Sequence, residues 1–254
     1  MAYIETHLTQ SNCLNKMVSF NALVPEGKKG PFPVLYLLHG MSDNYTAWMR
    51  RTSTERYVQD LPLIVIMPDG DRSFYCDAVN RPTWKYDTFM SSDLVNFVDE
   101  TFQTIRSREG RAVAGLSMGG YGAMKLSLGH PDIYCAGISY SGAPLAGSRN
   151  ETPEWSPSAD WKAIFGASSK GTDNDVLALA ERINRADLPA LWIDCGVDDF
   201  LIEDNRKFHA YLQSLEIPHE YVEKPGAHGW EYWDDAIVRT LPWLKGVLGI
   251  DKTA

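Results

Sequence analysis

Short apolar runs recur along the chain, "VLYLL", "LIVIM", "RAVAGL", "CAGISY" and "LWIDCG", separated by longer stretches of helical periodicity. An unbroken apolar run of that length suits a strand covered on both faces, which is the condition of a parallel sheet with helices on either side. The intervening segments supply those helices: one within "NYTAWMRRTSTERYVQD", one near 87–104, one from Met118 to about Gly129, one from Leu201 to Glu216, and one through "WDDAIVRTLPWLKGVL". In the second of these Phe89, Leu94, Phe97, Val98 and Phe102 mark a single face. "HEYVEKPG" reads as the last strand. Before the first buried run, "YIETHLT" and "KMVSFNALV" alternate and flank a Ser-Asn turn signal, the pattern of an antiparallel edge. The expected fold class is therefore α/β, a mostly parallel eight-stranded sheet with helices on both faces, whose functional loops gather at the carboxyl ends of the strands.

At 254 residues the chain suits one domain spanning 1–254. One segment departs from the strand–helix rhythm. Residues 143–172, "APLAGSRNETPEWSPSADWKAIFGASSKGT", are rich in Pro, Gly and Ser and carry Trp155 and Trp161. Excursions of that length in a compact domain commonly serve function, and a cap-like insertion over the site is expected. The formal charge of −9, with no cluster of Lys or Arg, argues against a nucleic-acid partner. It also disfavours long-range attraction of anionic substrates, although a local pocket can override the global field. "MAYIETHLTQSNCLNK" lacks the pattern of a secretion signal and no apolar run approaches a membrane span, so a cytoplasmic location with no membrane partner is expected. Cys13, Cys76, Cys135 and Cys195 are scattered and have no histidine at ligand spacing, so neither a metal site nor a disulfide framework is expected.

The stretch "AGLSMGGYG", residues 114–122, places Ser117 between an apolar strand and a helical segment in the pattern G-x-S-x-G. A serine on a sharp strand-to-helix turn projects its hydroxyl above the sheet. Glycines two residues either side, here Gly115 and Gly119, let strand and helix approach closely. Such a hydroxyl needs a base before it can attack at neutral pH. Chain order in this architecture runs serine, acid, histidine, which leaves His209, His219 and His228. His209 falls inside a helix and His219 opens a strand. His228, in the Gly-bounded loop "KPGAHGWEYW", is free to reach the serine and is the expected base. An acid must orient it. The loop after "LWIDCG" offers Asp198 and Asp199, and spacing alone does not choose between them; Asp194 lies deeper in the strand.

Charge developing on a tetrahedral intermediate needs two fixed donors. The backbone N–H of Met118 is one. The loop "LLHGMSDN" supplies the other, with Met41 preferred over Gly40, while the His39 ring is expected to brace that loop. Trp48, Tyr75 and Trp230 lie on or beside loops at the same edge and are candidate pocket residues. Cys76 is expected to be a buried, inert thiol.

Together, "LYLLHGMSDNYTAWMRRTSTER", "FYCDA", "AGLSMGGYGA", "CGVDDFLIEDNRKF" and "GAHGWEYWDDAI" resemble, in order and over most of the chain, the tributyrin esterase and esterase D branch of the α/β-hydrolases. That branch is related to S-formylglutathione hydrolases and to feruloyl and acetylxylan esterases. The resemblance implies a serine carboxylesterase for short acyl chains, working through a Ser-His-Asp triad and an acyl-enzyme, without metal or cofactor. In such families the acid is the fourth residue of a G-x-x-D stretch, here Gly196 to Asp199, which selects Asp199 over Asp198. The oxyanion donors are likewise the amides of Met41 and Met118. S-formylglutathione hydrolysis, hydrolysis of feruloyl or acetyl esters of plant origin, and acyl transfer are the alternatives within the same machinery. A non-catalytic binding module is disfavoured by the apparently complete triad. Relatives of this kind often self-associate, so a homo-oligomer is compatible with the resemblance, although no exposed apolar stripe is readable.

Overall fold

A computed structural model describes residues 1–250, with backbone alone at 7–10 and 158; residues 251–254 of the expected 1–254 domain lie outside the described residues. The strands are β1 (Ala2–Ser11), β2 (Lys16–Val24), β3 (Val34–Leu38), β4 (Ile64–Pro68), β5 (Arg111–Leu116), β6 (Ala136–Tyr140), β7 (Ala190–Gly196) and β8 (Glu220–Lys224). They form an eight-stranded sheet in the order β1-β2-β4-β3-β5-β6-β7-β8. β1 pairs antiparallel with β2, β2 antiparallel with β4, and every later neighbour is parallel.

The apolar runs are continuous because each face of the sheet owns half of every strand. Val34, Tyr36, Leu38, Ile64, Ile66 and Val113 belong to one core, and Leu35, Leu37, Val65, Met67, Ala112 and Ala114 to the other. The helices are α1 (Ala47–Arg51), α2 (Thr54–Val58), α3 (Tyr86–Thr88), α4 (Leu94–Thr101), α5 (Met118–Gly129), α6 (Ser158–Phe165), α7 (Val176–Arg182), α8 (Ile202–Ser214) and α9 (Trp230–Val247). α1, α2 and α9 cover the second core, while the others from α3 to α8 cover the first.

Two helices differ from their sequence reading. The segment between β3 and β4 is broken into α1 and α2 at Thr52, whose hydroxyl donates to the Trp48 carbonyl at 2.6 Å, a local bond that competes with continuing the helix. The segment expected at 87–104 runs from Tyr86 through a π turn at Phe89–Asp93 and ends at Thr101. Phe102 is already extended there, because the chain must straighten for Thr104 to bridge with Phe32.

The chain passes from β3 out to β4 and then returns to β5 on the other side of β3. Loops leaving β3 and β5 therefore diverge and open a crevice at the carboxyl edge, the usual ligand position in such a sheet. Residues 143–172 hold a 3₁₀ turn, Ala146–Ser148, and α6. The segment is tied to the loop after β4 by Val79 N–H to Ile164 O at 3.0 Å, Asn80 N–H to Ala163 O at 2.9 Å, and an Arg72–Asp160 ion pair at 2.9 Å.

At the crevice α5 packs almost backbone to backbone on β3. A Cβ at Gly119 would stand 2.7 Å from the carbonyl oxygens of both Leu38 and His39. Gly119→Ala is therefore expected to destabilise by about 1–3 kcal/mol, lowering Tm by roughly 2–4 °C per kcal/mol. Gly246→Ala, where a Cβ meets nothing within 4 Å, should be neutral or mildly stabilising. Thermal denaturation of the two variants checks this, and an unshifted Tm for Gly119→Ala refutes it.

Candidate active site

β5 delivers Ser117 into a turn at φ 53°, ψ −116°, after which α5 starts immediately. The turn is pinned by Ser117 N–H to Tyr140 O at 2.9 Å and by Tyr121 N–H to Ser117 O at 3.1 Å. A non-glycine residue at positive φ is strained and persists only where its surroundings hold it. The hydroxyl points at the loop between β8 and α9, and Ser117 Oγ lies 3.0 Å from His228 Nε2.

His228 Nδ1 is 2.8 Å from Asp199 Oδ2, and Asp199 Oδ1 accepts the Leu201 N–H at 2.8 Å. The hydrogen on Nδ1 satisfies both neighbours: Nδ1–H donates to the carboxylate and Nε2 accepts from the serine hydroxyl. Asp199 is buried while Asp198, one residue earlier, is exposed. Of the two loop acids the structure therefore brings only Asp199 to the imidazole. The ring is held between Phe200, at 4.5 Å between centroids, and Trp233, edge-on at 5.0 Å.

The loop after β3 carries Gly40 and Met41 to the side of Ser117, and Met118 opens α5, where the first N–H groups have no intrahelical acceptor. Three carbonyls of that loop are anchored from behind. Leu38 O accepts Trp48 Nε1–H at 2.9 Å, His39 O accepts the Tyr75 hydroxyl at 3.0 Å, and Gly40 O accepts His39 Nδ1–H at 2.7 Å. His39 Nε2 in turn accepts Gly70 N–H at 2.8 Å, so the neutral ring spans two loops, bracing as expected.

The cavity above Ser117 holds about 360 Å³. Of the three aromatic candidates, Trp230 forms part of its wall, and Trp48 and Tyr75 do not. Both are buried one layer behind, since their polar atoms must meet the carbonyls just described. Trp48 meets the ring of the wall residue Trp230 edge-on at 5.3 Å. The wall is completed by residues not singled out from the sequence, among them Phe74, Phe200, Trp233 and Arg51. Phe200 follows the acid directly and Trp233 stands one helical turn after Trp230; those adjacencies were the available signals. Trp155 of the 143–172 segment also lines the cavity, its ring 6.3 Å from both Phe74 and Phe200.

Comparison with known proteins decides the family. The Esterase family, described as "Putative esterase", matches residues 11–244. The chain belongs to this Esterase family. It is 29% identical over 222 residues to an acetyl esterase of Caldicellulosiruptor saccharolyticus, covering 84% of this chain and 83% of that one. Two solved structures from Staphylococcus aureus are each 32% identical and cover 96% of this chain and 98% of theirs. One is a fluorophosphonate-binding serine hydrolase with a TM-score of 0.86, the other an S-formylglutathione hydrolase with a TM-score of 0.84. The protein is accordingly a serine esterase of the α/β-hydrolase class, a carboxylic ester hydrolase.

Several other polar groups of this esterase have structural partners. Asp194 is fully buried in β7 and accepts hydrogen bonds from the Tyr232 hydroxyl and Arg239, which fastens α9 beside the His228 loop. His209 and His219, set aside in the sequence, pair with each other at 2.7 Å between Nδ1 and Nε2. Cys76 is buried, and burial pushes its thiol up to about 11. Among the described residues no group of three or more His, Cys, Asp or Glu could hold a metal ion, and no helix is long and apolar enough to cross a membrane.

Tyr75→Phe deletes one buried hydroxyl and leaves the His39 carbonyl unpaired, at a cost of about 1–3 kcal/mol. The esterase variant should show a lower Tm together with a reduced kcat at little-changed KM, because the loop carrying Met41 loosens while the cavity wall is untouched. A rise in KM with unaltered kcat would place Tyr75 in substrate binding instead.

Proposed function

We propose that this esterase cleaves short-chain acyl esters with Ser117 as nucleophile, His228 as general base and then acid, and Asp199 as the residue that orients the imidazole. The observation that carries this reading is the continuous hydrogen-bonded line from Ser117 through His228 to Asp199, at 3.0 and 2.8 Å.

As Ser117 Oγ bonds to the carbonyl carbon, its proton passes to Nε2, and Asp199 stabilises the imidazolium that forms. The carbonyl oxygen takes up negative charge facing the amides of Met41 and Met118. Collapse of the tetrahedral species breaks the bond to the alcohol oxygen, which collects the proton from Nε2. Water then attacks the acyl-enzyme by the same route in reverse and frees the acid and the serine.

A short acyl chain is supported by cavity size. About 360 Å³ serves the reacting centre and both halves of the substrate, and Phe74, Trp155 and Phe200 take up part of its wall. The acetyl esterase relative supports the same reading. In it the 143–172 segment acts as a cap: Ala143 and Trp155 lie against the acyl end, and backbone bonds to residues 79 and 80 hold the cap in register. A second reading, thioester cleavage of an S-formyl substrate by the same residues, is supported by the S-formylglutathione hydrolase at 32% identity. The partner in either case is a small molecule.

With 4-nitrophenyl acetate, Ser117→Ala and His228→Ala should each lower kcat/KM by about 10⁴-fold or more, and Asp199→Asn by about 10⁴-fold. Asp198→Asn, on the exposed neighbour, should stay within about threefold of wild type. A crippled Asp198→Asn beside a healthy Asp199→Asn would reverse the acid assignment. Acetate, butyrate and octanoate esters, methyl ferulate and S-formylglutathione then rank the substrate classes. A kcat/KM for S-formylglutathione that exceeds the acetate ester by orders of magnitude favours the second reading.

A further inference from the structure

The cavity wall has two chemically unlike parts. One group of wall residues is apolar, Phe74, Ala143, Trp155 and Phe200; another is polar, Ser42, Asp43 and Arg51. Those last three residues also line a second cavity of about 240 Å³, which Asn44, Thr46 and Arg50 help to complete. The two spaces therefore adjoin across a common wall, giving the site an apolar arm and a neighbouring polar arm. Arg50 and Arg51 are exposed, and neither enters an ion pair among the described residues. The one carboxylate in the arm, Asp43, is half-buried; desolvation raises its pKa, against which the His39 ring, the Gly40 N–H and the charge of Arg51 act to lower it. Two guanidinium groups thus outnumber one engaged carboxylate at the mouth of the site, in a chain whose net charge is −9.

The halves of an ester leave such a site differently. The acyl half stays bonded to Ser117 until water arrives, whereas the departing half must move out towards solvent once His228 has protonated it. The exposed polar arm offers that route. A guanidinium presents a planar fork of donors that matches a carboxylate. We propose that the polar arm is the subsite for the leaving alcohol or thiol, and that Arg51, backed by Arg50, selects leaving groups bearing a carboxylate. The proposal rests on Ser117 being the nucleophile, and it names the substrate class that the overall acidity of the chain would disfavour.

The test compares two acetate esters whose leaving groups differ by one carboxylate, 4-nitrophenyl acetate and 5-acetoxy-2-nitrobenzoate, with 4-nitrophenyl hydrogen succinate carrying the anion on the acyl side. The readout is the ratio of kcat/KM, anionic over neutral leaving group, at low and high salt. Arg51→Gln should lower that ratio about threefold and Arg50→Gln/Arg51→Gln about tenfold, the scale of exposed charge-assisted contacts. High salt should shrink the wild-type ratio towards that of the double variant. Arg56→Gln, the same change of charge on α2 outside the arm, should leave the ratio within about 1.5-fold. The proposal is overturned by a double variant with the wild-type ratio, by an equal effect of Arg56→Gln, or by an effect confined to the succinate. Retained hydrolysis of both acetate esters by Ser117→Ala is a separate failure, that of the nucleophile assignment, and is read independently of the ratio.

Discussion

The Ser117 backbone, at φ 53° and ψ −116°, occupies a region that costs an L-residue on the order of 1–3 kcal/mol, and the sheet around it supplies the restraint. β5 is central, paired on both sides by β3 and β6, so the residue before the turn cannot yield. α5 cannot yield either, because its first turns lie against the Leu38 and His39 carbonyls and eleven of its residues, Met118 to Leu128, are buried. Between two immovable elements the serine has one conformation, and its hydroxyl has one direction. The positions of Met118 N–H, His228 and the cavity wall are all measured from that direction.

Around this turn the aromatic residues divide into those that face the cavity and those that hold its floor. Trp48 and Tyr75 spend their single polar atoms on carbonyls of the β3 loop, which leaves no polar edge free and draws both rings inward. Phe74 and Tyr75 both adopt positive φ, 53° each, in the loop after β4, which turns one ring towards the cavity and the next beneath it. Phe200, Trp230 and Trp233 stand at the cavity wall, where Phe200 and Trp233 sandwich the His228 ring. α9 bears Trp230 and Trp233 and is fixed in turn by the buried Asp194 through Tyr232 and Arg239.

Charge is used in the same layered way. The buried carboxylates of the sheet and helices are each satisfied locally: Asp99 by Arg111 and Thr104, Asp194 by Tyr232 and Arg239, Asp199 by His228 and the Leu201 amide. Pairing of this kind keeps a buried charge from destabilising the fold and leaves it no reach beyond its partner. The arginines at the polar arm differ because they are exposed at the mouth of a cavity, where their charge meets whatever enters.

Much of this was legible in the linear chain. The doubly buried runs dictate a mostly parallel sheet, since alternate residues of one strand must be apolar on both sides. G-x-S-x-G at a strand-to-helix junction marks Ser117, and chain order with Gly-flanked loops marks His228, because these are local backbone requirements that leave local signatures. Asp199 was separated from Asp198 only through likeness to a family; in the structure one residue of loop rotation buries the first and exposes the second. Trp48 and Tyr75 could not be told from Trp230 in sequence, as all three are aromatics beside loops at one edge. Which of them faces the cavity depends on where unpaired carbonyls from distant segments come to lie. The placing of Arg50 and Arg51 beside the site likewise follows from α1 folding back beside a cavity whose other walls come from the end of β5 and the segments that follow β3, β4, β6, β7 and β8. Local backbone demands are written in neighbouring residues, whereas the partner that each polar atom finds is decided only when the whole sheet has formed.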